Sequence, residues 1–232
     1  MRIRLLLPAV LAAVAALAVP EPRFYLPLDN TPRAARAGGL AVPLLTAERD
    51  PILAALGPQF AAAAKVAGGL DARSRGLAYS AAGNFRADEG TFASWLQPAF
   101  SGADKTVYPA LFGVEKWGML YKYTDQTGLT FGTARPDRDL YYDCAADIGS
   151  WRPGEWHHVA VSWSRSANAR ALYLDGVQAA RAPFPYHRPV ESGPLFVGGG
   201  CLLYPGHHAQ ALLDEVALWD RALTPEEVRQ VC

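Results

Sequence analysis

Chemistry in this chain must come from its acids, histidines and aromatic rings. The acid in the oddest place is Asp214, within the stretch ALLDEVALW. Read as a strand, that stretch puts Asp214 in register with Leu212, Val216 and Leu218, because side chains at i and i+2 share one face. A carboxylate on an apolar face is costly unless something neutralises it or hydrogen-bonds to it. Two kinds of partner suit it, a cation or a set of backbone N–H groups, and the sequence leaves both open. Glu215 is expected to point to the other face, into solvent. A second set of acids, Asp137, Asp139, Asp143 and Asp147, superficially has the spacing of a calcium loop. It lacks the mid-loop Gly and closing Glu of an EF-hand, and Arg135 and Arg138 are interleaved, so it reads as a solvated loop leading into a strand. His157 and His158 are neighbours; on a strand they face opposite ways and cannot easily ligate one ion. The chain contains no G-x-S-x-G, no H-E-x-x-H and no phosphate loop.

The elements that must position these residues are strands. Half of the 232 residues are hydrophobic and 19% are charged, which excludes disorder. Short runs rich in β-branched and aromatic residues (GTFASWLQP, TVYPALFGV, GMLYKYT, GLTFGTA, LYYDCA, WHHVAVSW, ARALYLDG, GPLFVGG, LLDEVALW) are punctuated by Gly, Asp, Asn or Pro. That pattern predicts an all-β, antiparallel sandwich or barrel. Residues 31–75, rich in Ala, Gly and Pro, read as a long surface excursion containing a short helix or strand, with weak helical character in PILAALGPQFAAAA broken at Gly57-Pro58. One short helix is expected at the C-terminal end. LTPEEVRQV supplies Thr224 as N-cap, Pro225 at N1 and Glu227 at N3, a capping box with acids in the first turn.

Residues 1–18 match a secretory signal. Arg2 and Arg4 precede an apolar run, and Ala16-Leu17-Ala18 is an A-x-A cleavage site, so a mature domain of residues 19–232 would begin near Val19. The run is shorter than the roughly 20 residues of a spanning helix and is interrupted by Pro8, so no membrane span is expected in the mature chain. The expected location is secreted, periplasmic or in the cell envelope. The 22 Lys and Arg residues equal the 22 Asp and Glu residues, without a basic block, so binding to nucleic acid is unsupported. Export permits a disulfide among Cys144, Cys201 and Cys232. Cys144 with Cys201 is the favoured pair, both lying at ends of expected strands, and Cys201 with Cys232 stays open.

Three blocks occur in order: GTFASWLQPAF, then GEWHHVAVSWSRSANARALYLDGVQ, then GPLFVGG followed by LLDEVALWDRALTPEEV. Together they resemble a laminin-G-like jelly roll of the concanavalin A-like lectin and glucanase superfamily, related to pentraxins. The resemblance implies two antiparallel sheets of six or seven strands, one concave, with the terminal strands adjacent and a short C-terminal helix. It also implies a structural calcium ion between the terminal strands, held here by Asp29 and Asp214 with Asn30 as a possible helper.

Relatives of this fold that hydrolyse glycans carry paired carboxylates on one strand, in an E-x-D-x-x-E type of pattern, and no such pattern occurs here. The expected role is a non-catalytic binding module for an extracellular glycan, with a cell-surface protein as the alternative partner and a glycan-active enzyme as a further alternative. Sugar rings stack on aromatic side chains, which singles out Trp117, Tyr121, Tyr123, Tyr141, Tyr142 and Tyr204. The loop YPGHHAQ adds His207, since loops on rigid scaffolds carry function. Trp95, Trp163 and Trp219 are assigned to packing.

Overall fold

The computed structural model describes residues 18–44, 60–134, 141–184, 193–199 and 207–232. The first strands are β1 (Phe24–Leu26), β2 (Phe60–Ala61), β3 (Gly69–Asp71), β4 (Leu77–Ser80), β5 (Glu89–Pro98), β6 (Ala110–Val114) and β7 (Gly118–Lys122). They are followed by β8 (Gly128–Ala134), β9 (Tyr141–Asp147), β10 (His157–Ser164), β11 (Ala169–Leu174), β12 (Val177–Ala182), β13 (Pro194–Val197), β14 (Ala211–Trp219) and the helix α1 (Pro225–Gln230). The larger sheet runs β12-β11-β10-β5-β14-β3-β2, with β1 also paired to β14, and the smaller runs β4-β13-β6-β7-β8-β9. The architecture is the expected two-sheet antiparallel sandwich. The larger sheet has eight strands, one more than expected. The additional pairing comes from the presumed surface excursion, whose residues form β2 and β3 at the sheet edge. Of the short helix or strand left open for that region, Phe60 and Ala61 form a strand; residues 51–59 of the weakly helical stretch lie outside the described residues.

Alternation in β10 shows how sequence places the layers. Val159, Val161 and Trp163 enter the core between the sheets, where Trp163 packs with Trp117 and Phe131, and Phe92 stacks on Phe112 at 4.3 Å. Ala160 faces the other way. It lies in one row with Ala93 of β5 and Ala217 of β14, and Ala171 of β11 joins them in a separate cluster. Small side chains there leave a shallow bed on the outer face of the larger sheet, and Val228 of α1 is fully buried on it. Trp219 closes the bed, its Nε1 donating to Pro20 O at 2.7 Å. The capping box is present as read, with Thr224 N donating to Glu227 Oε2 at 2.8 Å and Glu227 N to Thr224 Oγ1 at 3.3 Å. The Asp175-Gly176 pair turns β11 into β12 with both residues at positive φ, 50° and 76°.

β14 departs from simple alternation. Its register against β5 slips between Asp214, opposite Trp95, and Ala217, opposite Ala93. Glu215, at φ 51°, is the extra residue of this bulge. Asp214 therefore shares the outer face with Leu212, Ala217 and Trp219, while Leu213, Val216 and Leu218 face the core. The sequence-based register of Asp214 with Val216 and Leu218 is corrected by that one inserted residue. Ser94 Oγ donates to the Asp214 carbonyl at 3.0 Å and satisfies the interrupted ladder. The other edge of β14 is shared: β3 pairs along Leu212–Leu213 and β1 along Val216–Leu218. Asp214 and Glu215 sit at the seam between them.

Candidate functional site

Two groups of polar and aromatic side chains stand out, on opposite faces of the sandwich. The first is the seam. Asp214 has no exposed surface. Its Oδ2 accepts from Val66 N–H at 2.7 Å and its Oδ1 from Glu215 N–H at 2.8 Å. Asp29, just beyond β1, accepts from Gly68 N–H at 3.1 Å. The turn 64–68 is thus hung from two carboxylates, and it carries Lys65, whose Nζ lies 3.6 Å from the centre of the Trp95 ring. Burial pushes the Asp214 carboxyl up to about 6; the two N–H donors pull it down, and the charges of Glu215 and Asp29 push it up again. Glu215 is not the solvated residue expected. The bulge leaves it partly buried, and Tyr25 Oη donates to its Oε2 at 2.6 Å.

Of the two partners left open for Asp214, backbone amides are both in place. For a hard cation the donors are right in kind, since carboxylate oxygens suit calcium. In number they fall short: among the described residues no three His, Cys, Asp or Glu side chains are grouped to hold a metal.

The second group lies on the outer face of the smaller sheet. β7 alternates: Leu120 enters the core, whereas Met119 and Tyr121 face outward with Ala110 of β6. Tyr121 is fully buried and Tyr123 half-buried, their hydroxyls 2.8 Å apart. Tyr108, at the end of the loop before β6, stacks on Tyr121 with ring centres 5.5 Å apart and planes 14° apart. His207 lies 4.3 Å from Tyr108, and Tyr123 meets Tyr108 edge-on at 5.7 Å. Tyr108, Tyr123 and His207 are each half-buried, so they present ring surface above a Tyr121 floor.

The structure thus brings together three of the expected ligand residues, Tyr121, Tyr123 and His207. It adds Tyr108, which the sequence hid because TVYPALFGV read as one continuous strand. It removes Trp117, which is fully buried in the inter-sheet core against Phe85 and Trp163 and has no surface to offer. Tyr204 and Cys201 lie outside the described residues; Cys144 is buried in the core, and no disulfide joins two cysteines among the described residues. The adjacent histidines do structural work apart: His157 stacks on Trp151 at 4.0 Å and meets Asp175 Oδ2 at 3.0 Å, while His158 packs edge-on against Trp95. Burial lowers the His158 pKa to about 4, so the ring is neutral at pH 7.

A Laminin G family model of the concanavalin A-like lectin/glucanases superfamily matches residues 71–229, most of the chain. The chain belongs to this superfamily. The match takes in β4 to β14 and most of α1, and so both groups just described apart from Tyr25, Asp29 and the turn 64–68. Neuronal pentraxin-1 from rat (Rattus norvegicus) is 37% identical to this laminin-G-type chain over 87 residues, which cover 32% of the chain and only 19% of the pentraxin. Among solved structures, the binding domain of Paraclostridial Mosquitocidal Protein 1 superposes with a TM-score of 0.57 at 13% identity, covering 76% of this chain and 45% of that one. Domain 4 of AbnA, an extracellular arabinanase from Geobacillus stearothermophilus, superposes with a TM-score of 0.54 at 14% identity, covering 91% of this chain and 98% of that domain. Identities this low speak for the fold alone. Binding domains and a domain of a glycan-cleaving enzyme both use it. Among the described residues no helix is long and apolar enough to cross a membrane.

Proposed function

We propose that this chain is a non-catalytic binding module that recognises carbohydrate outside the cell or in the cell envelope. The observation that carries this reading is the platform of Tyr108, Tyr123 and His207 over buried Tyr121. Half-exposed rings backed by a rigid strand suit stacking against the apolar face of a sugar, at little cost in side-chain entropy. Superfamily membership supports the choice of ligand class. Arabinotriose, present in the solved structure of the similarly folded domain 4 of AbnA, makes a sensible first probe beside a wider glycan array.

The test is array binding followed by calorimetry with Tyr108→Ala and Tyr123→Ala. Each variant should lose at least about tenfold in affinity for whichever glycan binds, roughly 1.4 kcal/mol, with little change in thermal midpoint. Variants that bind like the parent would overturn this site. An array without any bound glycan would overturn the carbohydrate reading and favour a protein partner. Absence of catalysis is tested by incubation with a panel of polysaccharides; released reducing ends would contradict it.

A structural calcium ion at the seam of Asp29 and Asp214 is the second part of the proposal. Its support is mutual repulsion: Asp29 and Glu215 both raise the Asp214 pKa. Peptide carbonyls and water would supply the remaining oxygens. Excess calcium should raise the unfolding midpoint and chelator should lower it, as for any ligand of the folded state alone. A midpoint indifferent to both would leave Asp214 with its backbone partners only.

A further inference from the structure

Lys122 is the last residue of β7, between Tyr121 and Tyr123, and its side chain goes to the opposite face of the strand from theirs. It is fully buried, which lysine almost never is unless its charge is engaged. Its Nζ donates to the carbonyl of Asp104 and, at 3.2 Å, to that of Tyr123. Its backbone N–H donates to Pro109 O at 3.0 Å. Asp104 organises the same loop: its Oδ1 accepts from Thr106 N–H at 2.8 Å and from Thr106 Oγ1 at 2.7 Å, and its own N–H donates to Ser101 O at 2.9 Å. Lys122 therefore grips the loop at its middle, through Asp104, and at its end, through Pro109. Tyr108 lies between the two grips.

Core packing alone does not call for an ammonium here. An apolar side chain of equal length would fill the space without the desolvation cost. What the charge adds is direction, since its donors must find carbonyls, and the one it finds across the chain belongs to the loop that carries Tyr108.

We propose that Lys122 is a positioning residue: its buried ammonium sets loop 101–109 so that Tyr108 stacks on Tyr121 beside His207. The relevance of this latch to ligand rests on the carbohydrate-binding reading above, whereas its effect on Tyr108 does not. The lysine touches no ligand; it acts through the loop.

The test compares the parent protein with Lys122→Met, which keeps the stem and loses the charge, and Lys122→Arg, which keeps a donor. Amide hydrogen exchange without ligand should be faster by about tenfold or more in 101–109 for Lys122→Met, with β5 and β10 unchanged. Near-ultraviolet circular dichroism should lose the tyrosine signal that Tyr108→Phe also alters, and Lys122→Arg should recover part of both. Unchanged exchange in the loop, or acceleration spread evenly over both sheets, would overturn the proposal. On the glycan array, Lys122→Met should weaken binding as Tyr108→Ala does. Loop loosening with full array binding would overturn the role in recognition while the carbohydrate reading stands. A parent protein that binds no glycan would sink that reading, and exchange and dichroism would still decide the latch.

Discussion

With the Asp214 carboxyl lifted from the ordinary 3.8 to about 6, the folded chain keeps a proton over an interval in which the unfolded chain has lost it. The unfolded state binds fewer protons there, so stability contributed by this residue falls as pH rises from about 4 to about 6 and is level above that. Two pKa units correspond to about 3 kcal/mol, an upper bound for the drop. Urea midpoints measured across that range should show the decline, and Asp214→Asn should flatten it. A bound divalent ion, which prefers the ionised carboxylate, should flatten it too. Glu227 works in the opposite sense. Its carboxyl, forked by Arg221 and hydrogen-bonded by Thr224 N–H, is held down to about 2 from 4.5. Its contribution is complete above about 4.5 and is lost as pH falls toward 2. Glu227→Gln should cost about 1–2 kcal/mol at pH 7, less than the shift implies because Arg221 is partly in solvent, and should remove the acid-side loss. The anomaly of Asp214 was legible in the sequence. The role of Glu215 was not, because a bulge moves a side chain without leaving any mark in the order of residues.

Elements differ in how far local sequence declares them. β10 and β11 announce themselves through strict alternation, and α1 through its capping box, since each signal lies within a few residues. β2 and β3 have two and three residues, too few to show a period; β14 offers β3 an edge, and β3 in turn offers one to β2. Loop 101–109 reads as polar connection plus strand; that it delivers a ring onto β7 depends on contacts made far along the chain. The alanine bed under α1 gives a sharp prediction. Ala93→Leu or Ala160→Leu should force the helix off the sheet and cost about 1–3 kcal/mol by overpacking, read as a lower urea midpoint. Gly90 is constrained for a different reason. It lies opposite Trp163, and a Cβ there would stand 2.4 Å from the ring. Gly90→Ala should destabilise by a similar amount, and in a second variant Trp163→Phe, with its smaller ring, should relieve part of that cost.

At the scale of the whole molecule, the two outer faces are occupied differently. The larger sheet spends much of its outer face on α1 and on the segment before β1; the smaller carries the platform of rings. Fold class follows from patterns spread over many residues, which is why the sequence conveyed it, whereas strand order and a ligand surface depend on partners that are remote in the chain. If residues 1–18 are a cleaved leader, N-terminal sequencing of the exported protein should begin near Val19, whose side chain packs against the alanine bed.

The pairing of β1 with β14 has one more implication. The first and last strands are neighbours in the larger sheet, on the side away from Tyr108, Tyr123 and His207; beyond β14 the chain crosses the outer face of that sheet in α1 and brings Cys232 beside Gly176 of the β11–β12 turn. Val19 and Val231 both pack on the outer face of the larger sheet, so a host polypeptide joined at either end would hold the domain by that face, as by a tether. The rings would then hang outward from the tether, free to meet whatever passes.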